Sequence, residues 1–195
     1  MKTTLRFSLL AILACTFSLA ADDPKPVADP AMAGLRPLYG RIKDINVRAA
    51  KKMPEENFAF KPTPEVKSFG QFVGHLSDSN MTMCRAALGE GFKFDDANEK
   101  GKTSKADLVK ALEDSYAFCD KVMALPDSEL SKPMKFFGME SSRFAAVGLL
   151  VGHGFEHYGN MVTYMRIKGL VPPSSEAPPK AAPKAEAKPA EETKK

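Results

Sequence analysis

The sequence predicts an all-α protein built as a four-helix bundle. Four segments carry apolar residues at intervals of three and four, which is the spacing of one helical face. No segment shows the sustained alternation at period two that is typical of a strand. These segments lie within residues 31–173 of a 195-residue chain, a length that fits one domain.

The first helix is predicted to begin near Met32 and to stop at Pro54, because proline cannot continue a helix. The connection that follows contains Pro62 and Pro64. We expect it to be extended, since proline fixes its own dihedral angle and restricts the residue before it.

Capping signals mark the second and third helices. Ser68 with Gln71 three residues later is a capping-box pattern, so the second helix should begin there. Ser104 with Asp107 is a weaker signal of the same kind for the third helix. The stop signals are Gly89 or Gly91 for the second helix and Pro126 for the third.

The fourth helix is predicted from about Glu140 to Lys168 and is apolar nearly all round, so both of its faces must be covered. Gly148 and Gly152 would allow close approach of a neighbouring backbone. The cover is either the first helix or a second subunit, and the second option predicts a homodimer through the fourth helix. The residues of this face are Phe144, Val147, Val151, Phe155, Tyr158 and Val162.

Residues 1–21 are predicted to be a signal peptide. Lys2 and Arg6 precede a short uncharged run that ends in small residues, and the run is shorter than the about 20 residues of a membrane span. We therefore expect export, to the periplasm or as a secreted protein, with cleavage after residue 20 or 21. A lipoprotein signal at Cys15 is the weaker alternative, because Leu13 is bulky for that pattern.

Residues 174–195 are predicted to form a disordered tail rich in Ala, Pro, Lys and Glu. The tail has almost no large apolar side chain to bury, and its prolines are spaced so as to prevent a helix. Between the signal peptide and this tail, no apolar segment is long enough to form a transmembrane span.

The charge balance argues against nucleic acid as a partner. The chain has 28 basic and 24 acidic residues, a formal net charge of +4, and no dense cluster of Lys and Arg. A protein that follows a phosphate backbone needs such a cluster.

The histidines carry the predicted chemistry. His153 and His157 are four residues apart on the fourth helix, so their side chains leave the same face about one turn apart. His75 lies on the second helix, where it can face a neighbouring helix. Three imidazoles from two helices would leave open positions for water or substrate, as in catalytic metal sites. Neutral imidazole suits Zn, Ni, Cu or Fe(II).

The segment from His153 to His157 also matches the H-x-x-E-H signature of inverted zinc peptidases, in which the glutamate is the general base. Those enzymes need an acidic third ligand downstream, and every acid after His157 lies in the predicted tail. The peptidase is therefore a weaker alternative. Glu156 remains a candidate general base or a residue that orients a ligand, and the competing interpretation is an exposed helical glutamate.

Taken together, the motifs resemble a known family. They are Phe58-x-Phe60-Lys61-Pro62-Thr63-Pro64, Ser68-Phe69-Gly70, His75-Leu76-x-Asp78-x-Asn80, His153-x-x-x-His157-Tyr158-Gly159-Asn160 and Tyr164-x-Arg166-x-Lys168-Gly169-x-x-Pro172-Pro173. With them, residues 31–173 are similar to the DinB/YfiT-like superfamily of metal-dependent proteins.

The resemblance implies an up-down-down-up bundle, often a homodimer, with a divalent metal on His75, His153 and His157. Zinc or nickel is the first expectation for this metal, and iron or manganese follows. Some relatives are transferases or isomerases that use bacillithiol, mycothiol or glutathione.

Six further residues have predicted roles. Asn80, Asn160 and Tyr164 are predicted either to line the site or to be hydrogen-bonded polar groups of the core. Cys84 and Cys119 lie on consecutive helices, and in an oxidising compartment they predict a disulfide between those helices. Asp78 lies three residues after His75, but its helical phase predicts that it faces solvent.

The sequence therefore predicts an exported protein of the DinB type that binds a divalent metal through three histidines. Its predicted activity is that of a hydrolase or transferase acting on an unknown small molecule. The alternative is a non-catalytic binding module on the same bundle.

Overall fold

The computed structural model describes residues 27–177. Four long helices and one two-stranded antiparallel sheet dominate this part of the chain. The predicted signal peptide, including Cys15, and the predicted tail from residue 178 onward lie outside the described residues. The elements are α1 (Pro30–Lys52), α2 (Phe69–Leu88), α3 (Ala97–Gly101), α4 (Lys105–Met123), α5 (Asp127–Leu130), β1 (Pro133–Phe136), β2 (Met139–Ser142) and α6 (Phe144–Ile167).

The four predicted helices correspond to α1, α2, α4 and α6, and the capping signals mark two of their starts correctly. Ser68 accepts a hydrogen bond from the backbone N–H of Gln71, whose side chain accepts from the backbone N–H of Ser68. Ser104 likewise accepts from the backbone N–H of Asp107 and caps α4. The connection before α2 was predicted to be extended, but Glu55–Asn57 form a short 3-10 helix within it. Phe58, directly after this turn, is buried in the core.

Two helix pairs are antiparallel. Arg36, in the first third of α1, donates to the carbonyl oxygen of Met123 at the end of α4 over 2.8 Å. In α2 and α6, the ring of Phe72 contacts Tyr164 at 5.5 Å, whereas the later residue His75 contacts the earlier residue His153.

The third pair, α2 and α4, runs parallel. The amide of Asn80 donates to the hydroxyl of Ser115 over 3.2 Å, and four residues further along both helices Cys84 is bonded to Cys119. Residue numbers therefore increase in the same direction along α2 and α4. The chain from residue 89 to 104 therefore returns along the bundle before α4 begins. With the two antiparallel pairs, this gives the up-down-down-up order that the resemblance implied.

The disulfide predicted from the sequence is present. Cys84 and Cys119 have Cα atoms 5.4 Å apart, and both residues are fully buried between α2 and α4. The prediction of an inter-helix disulfide is thereby confirmed.

The segment before α6 differs from the prediction. Residues 133–142 form a β-hairpin, with Pro133 paired with Ser142 and Phe136 with Met139, so α6 begins at Phe144 rather than near Glu140. Each strand has four residues, which is too short for a period of two to stand out in the sequence. The short helices α3 and α5 were also not predicted.

Most of the apolar face of α6 is covered within the chain by α1. Val147, Val151 and Tyr158 are buried, and Ile42 of α1 packs against the backbone of α6 at Gly154. What stays exposed along α6 includes Phe155, together with Gly148 and Gly152, which have open space beside them.

The folded contacts extend past the predicted boundary at residue 173. The backbone N–H of Ser174 donates to the hydroxyl of Tyr158 over 2.8 Å, and Glu176 forms ion pairs with Arg48 and Lys52 of α1. Glu176 was assigned to the tail, but these two cations hold it on the bundle. No helix within residues 27–177 is both long and apolar enough to span a membrane.

Candidate metal centre

Three imidazole rings meet between α2 and α6. The Nε2 atom of His153 lies 3.2 Å from that of His75 and 2.9 Å from that of His157. The three groups can each offer one nitrogen within 4.8 Å of the others. The i, i+4 spacing on α6 supplies two of the rings, and the antiparallel packing of α2 supplies the third.

The surroundings keep two of the rings neutral. Burial, followed by the neighbouring charge of His75, lowers the pKa of His153 from 6.5 to about 4. Burial, followed by the charges of His153, His75 and Lys67, lowers the pKa of His157 to about 3. The ring of Phe72 packs 5.3 Å from that of His157 and contributes to this burial. At neutral pH both rings therefore present lone pairs.

Two of the rings are oriented through their other nitrogen. The Nδ1 of His75 lies 2.8 Å from a carboxylate oxygen of Glu99, and the Nδ1 of His157 lies 3.3 Å from the side-chain amide of Asn160. An asparagine amide can present its oxygen or its nitrogen in the same place, so Asn160 can accept the Nδ1 hydrogen. The Nδ1 of His153 is buried without a hydrogen-bond partner among the described residues.

Glu99 reaches the site because α3 is held against α2. The carboxylate of Asp78 accepts hydrogen bonds from the backbone N–H groups of Asn98 and Glu99, at 3.1 and 2.9 Å. Asp78 is only 3% exposed, so the prediction that it faces solvent was wrong. Helical phase could not reveal α3, which covers that side of α2. Lys67 also pairs with Glu99, on the carboxylate oxygen that His75 does not contact.

Gly74 permits this close contact. A Cβ atom at position 74 would lie 2.7 Å from the Cα of Glu99 and 2.9 Å from the carbonyl carbon of Asn98. Both are backbone atoms, which cannot move aside without shifting α3.

Replacing Gly74 with alanine should therefore push α3 away and separate Glu99 from His75. We expect a loss of about 1–3 kcal/mol in the free energy of unfolding from overpacking. We also expect roughly 10-fold weaker metal binding, because His75 loses the partner that orients it. Urea unfolding and a metal titration measure the two effects. Gly159→Ala on α6, where a Cβ has open space, is the matched control and should lower neither quantity. A Gly74→Ala variant with unchanged metal affinity would contradict this account.

The other predicted site residues lie in different places. Glu156 is exposed, which agrees with the competing interpretation of an exposed helical glutamate. Asn80 turns to Ser115 of α4 and is a core polar group rather than a residue of the site. The hydroxyl of Tyr164 donates to the carbonyl oxygen of Lys67 over 2.6 Å. Its ring contacts Phe72, so it supports the wall behind His157 rather than the histidines themselves.

The low pKa values predict acid sensitivity of the metal-free protein. Both rings are harder to protonate when folded than when unfolded, so the unfolded state binds more protons between pH 6.5 and about 3. The contribution of the two neutral rings to the free energy of unfolding is fully present above pH 6.5. It is lost as the pH falls from 6.5 to the folded-state pKa values of about 4 and 3. Lowering the pH from 6.5 to 4 should therefore lower the free energy of unfolding, and the partial exposure of His153 limits the size of this loss.

Urea unfolding in the presence of a chelator at the two pH values measures this loss. A variant with His153→Gln and His157→Gln should show a much smaller pH dependence, since carboxylates titrate equally in both proteins. Equal losses in the variant and the parent protein would contradict the prediction.

The donor set fits a divalent transition metal. Two imidazole nitrogens bound to a tetrahedral ion at 2.0–2.1 Å lie about 3.3 Å apart, close to the observed 2.9 and 3.2 Å. Three imidazole rings, two of them oriented through their Nδ1 atoms, are typical of such ligands. The set supplies three ligands, so the coordination sphere of the ion would retain open positions.

The fold and the site define a helical bundle with a three-histidine centre between two of its helices. The sequence model of the DinB superfamily matches residues 42–161, and the chain belongs to this superfamily. No curated protein matches the chain.

Two solved structures have the same fold. A DinB-like protein from Bacillus cereus is 17% identical, with a TM-score of 0.62, and the match covers 72% of this chain and 95% of that one. A DinB-like protein from Bacillus subtilis is 16% identical, with a TM-score of 0.59, and the match covers 71% and 94% of the two chains. At these identities the likeness shows the fold alone.

Proposed function

We propose that this protein is a metal-dependent hydrolase or transferase that acts on a small molecule. The observation that carries the proposal is the convergence of the Nε2 atoms of His75, His153 and His157. A divalent ion on these nitrogens would supply Lewis-acid chemistry, activating water or a substrate oxygen. Zinc or nickel suits three imidazoles best, and iron or manganese follows.

The remaining residues of the site position the ligands. Glu99 accepts the Nδ1 hydrogen of His75, which leaves the lone pair of its Nε2 free for the metal. Asn160 can do the same for His157. Both partners contact the sides of the rings that face away from the shared centre.

A non-catalytic binding module is the second candidate. It is favoured by the exposure of Glu156, which leaves the two α6 histidines without a nearby carboxylate on their own helix to act as a base. In this alternative the bundle captures a partner or a metal without turning it over.

Metal analysis of the purified protein tests the proposal. One equivalent of a divalent metal per chain is expected, and His75→Ala and His157→Ala should lose it. A phenotype that disappears with the metal would support an enzyme. A phenotype that persists in both variants would favour the binding module, and an absence of bound metal after reconstitution would refute the metal-dependent enzyme.

We also propose that the protein is exported. The support is the buried disulfide, since such bonds persist in oxidising compartments, together with the signal pattern of residues 1–21. Mass spectrometry of the protein from its native host would test this. A mature chain that begins at residue 21 or 22 is expected, a lipid on Cys15 would indicate the lipoprotein, and an uncleaved intracellular chain would refute export.

A homodimer through α6 remains our proposal for the quaternary structure. The part of α6 that α1 leaves uncovered includes Phe155, which is 37% exposed, flanked by the open glycines at positions 148 and 152. Small residues beside an aromatic side chain would let two copies of α6 approach closely. We expect sedimentation to give the mass of a dimer at micromolar concentration, and Phe155→Lys to give a monomer. A monomeric parent protein would refute the dimer.

A further inference from the structure

An apolar cavity of about 320 Å³ opens beside two of the histidines, His75 and His153. We call it the apolar cavity. This volume lies at the small end of the range for ligand pockets. Its remaining walls come from α2, the chain after α2, the β-hairpin and α6. The apolar side chains that line it are Met83, Phe92, Phe94, Phe137 and Leu149.

The polar groups in these walls are few: besides the two histidines, they are the hydroxyls of Ser79 and Thr82. The hydroxyl of Thr82 donates to backbone carbonyl oxygens, those of Asp78 at 3.0 Å and Lys93 at 3.3 Å. Apart from the two histidines, no ionisable side chain of the described residues lines the cavity. A charged group placed here would lose its hydration without gaining a partner, so the walls favour an uncharged apolar body.

Phe137, in the wall of the cavity, has an unfavourable backbone conformation. Its φ angle is +49°, in the left-handed region, and it is followed by Gly138 at +80° in the turn of the hairpin. This region suits glycine or asparagine and disfavours a bulky aromatic residue. The side chain of Phe137 is nevertheless 64% exposed, with its ring 4.9 Å from that of Phe92. Strain of this kind at an exposed aromatic residue points to a functional use.

We propose that the apolar cavity binds the tail of the substrate, a small molecule with an uncharged aliphatic or aromatic body and one metal-binding head group. The head group would meet the metal on the three histidines, and the body would lie against Phe92, Phe94 and Phe137. This inference rests on the metal binding proposed above and adds to it the class of substrate.

Alkyl hydroxamates of increasing length test the inference on the full zinc-loaded protein. All of them carry the same metal-binding head, and only the tail changes. From acetohydroxamate to hexanohydroxamate, the affinity should rise by up to about fourfold for each added methylene, as apolar surface is buried. Calorimetry measures the series. An affinity that does not depend on tail length would overturn the inference.

Two variants of the hairpin sharpen the test. Phe137→Asn puts a residue that tolerates a positive φ in the turn, so we expect the melting temperature to stay within a few degrees of the parent value. The same variant should weaken hexanohydroxamate about five- to tenfold and acetohydroxamate less than twofold. Met139→Thr, on the next strand of the same hairpin and outside the cavity, should change neither affinity. Equal losses for Phe137→Asn and Met139→Thr would contradict a role for the cavity.

A third measurement separates this inference from the proposed function. Methyl-labelled methionine spectra of the metal-free protein are recorded during titration with 1-hexanol, and the Met83 signal is assigned with Met83→Leu. We expect the Met83 methyl resonance to shift even if no metal binds. If hexanol shifts Met83 but the protein takes up no zinc, the proposed function fails and the cavity stands. If zinc and acetohydroxamate bind but Met83 does not respond to hexanol, the cavity fails and the metal centre stands.

Discussion

The His153→Ala variant should lose its metal. His153 is the ring whose Nε2 lies within 3.2 Å of both of the others, so its removal leaves His75 and His157 without the nitrogen that lies close to both. We expect the affinity for zinc to fall by more than about 100-fold, since loss of an orienting partner alone costs 10- to 100-fold. Competition against a chromophoric chelator measures the change.

Glu156→Gln is the matched control for this variant. Glu156 lies one helical turn from His153 on α6, but its side chain is exposed. The zinc affinity of the Glu156→Gln variant should therefore stay within about twofold of the parent value. Circular dichroism of both variants checks that α6 is retained. If His153→Ala keeps the parent affinity, the metal is held elsewhere. If Glu156→Gln loses the metal as well, the exposed position of Glu156 does not describe the protein in solution.

The sequence was sufficient for the parts of the fold that depend on local patterns. Capping residues and apolar spacing located α1, α2 and α4 to within a few residues, because these signals act over three or four positions. The pairing of His153 with His157 follows from one helical turn. The approach of His75 does not follow from any local pattern, because it depends on how α2 packs on α6. The family resemblance supplied that step.

The residues that orient the histidines could not be predicted from the sequence. Glu99 lies on a helix of five residues in a polar stretch, and no spacing pattern connects it with His75. It comes near only because Asp78 holds the backbone of α3 and Gly74 leaves room for it. For Glu156 the local pattern was misleading. The two neighbouring histidines suggested a catalytic base, but each position along a helix turns the side chain by about 100°, and Glu156 is exposed. The three histidines that could hold a metal were thus predicted, whereas the residues that orient them depend on the packing of the helices.

Removing the disulfide should have the largest effect on stability. Cys84 and Cys119 are 35 residues apart, and in the loop-entropy model a crosslink of this length contributes about 4 kcal/mol. The Cys84→Ala/Cys119→Ala double variant should therefore lose about that much free energy of unfolding. Urea unfolding of the oxidised parent protein and of the variant, both in the presence of a chelator, measures the difference.

The reduced parent protein separates the crosslink from the packing of the sulfur atoms. Both cysteines are fully buried, so reduction must be carried out in denaturant before refolding. If the crosslink acts on the unfolded chain, the reduced protein and the double variant should be destabilised alike. If only the double variant is destabilised, the contribution comes from core packing and the disulfide is dispensable. The bond joins α2 to α4, whereas the histidines join α2 to α6, so the crosslink can stabilise the bundle without constraining the rings that meet at the metal centre.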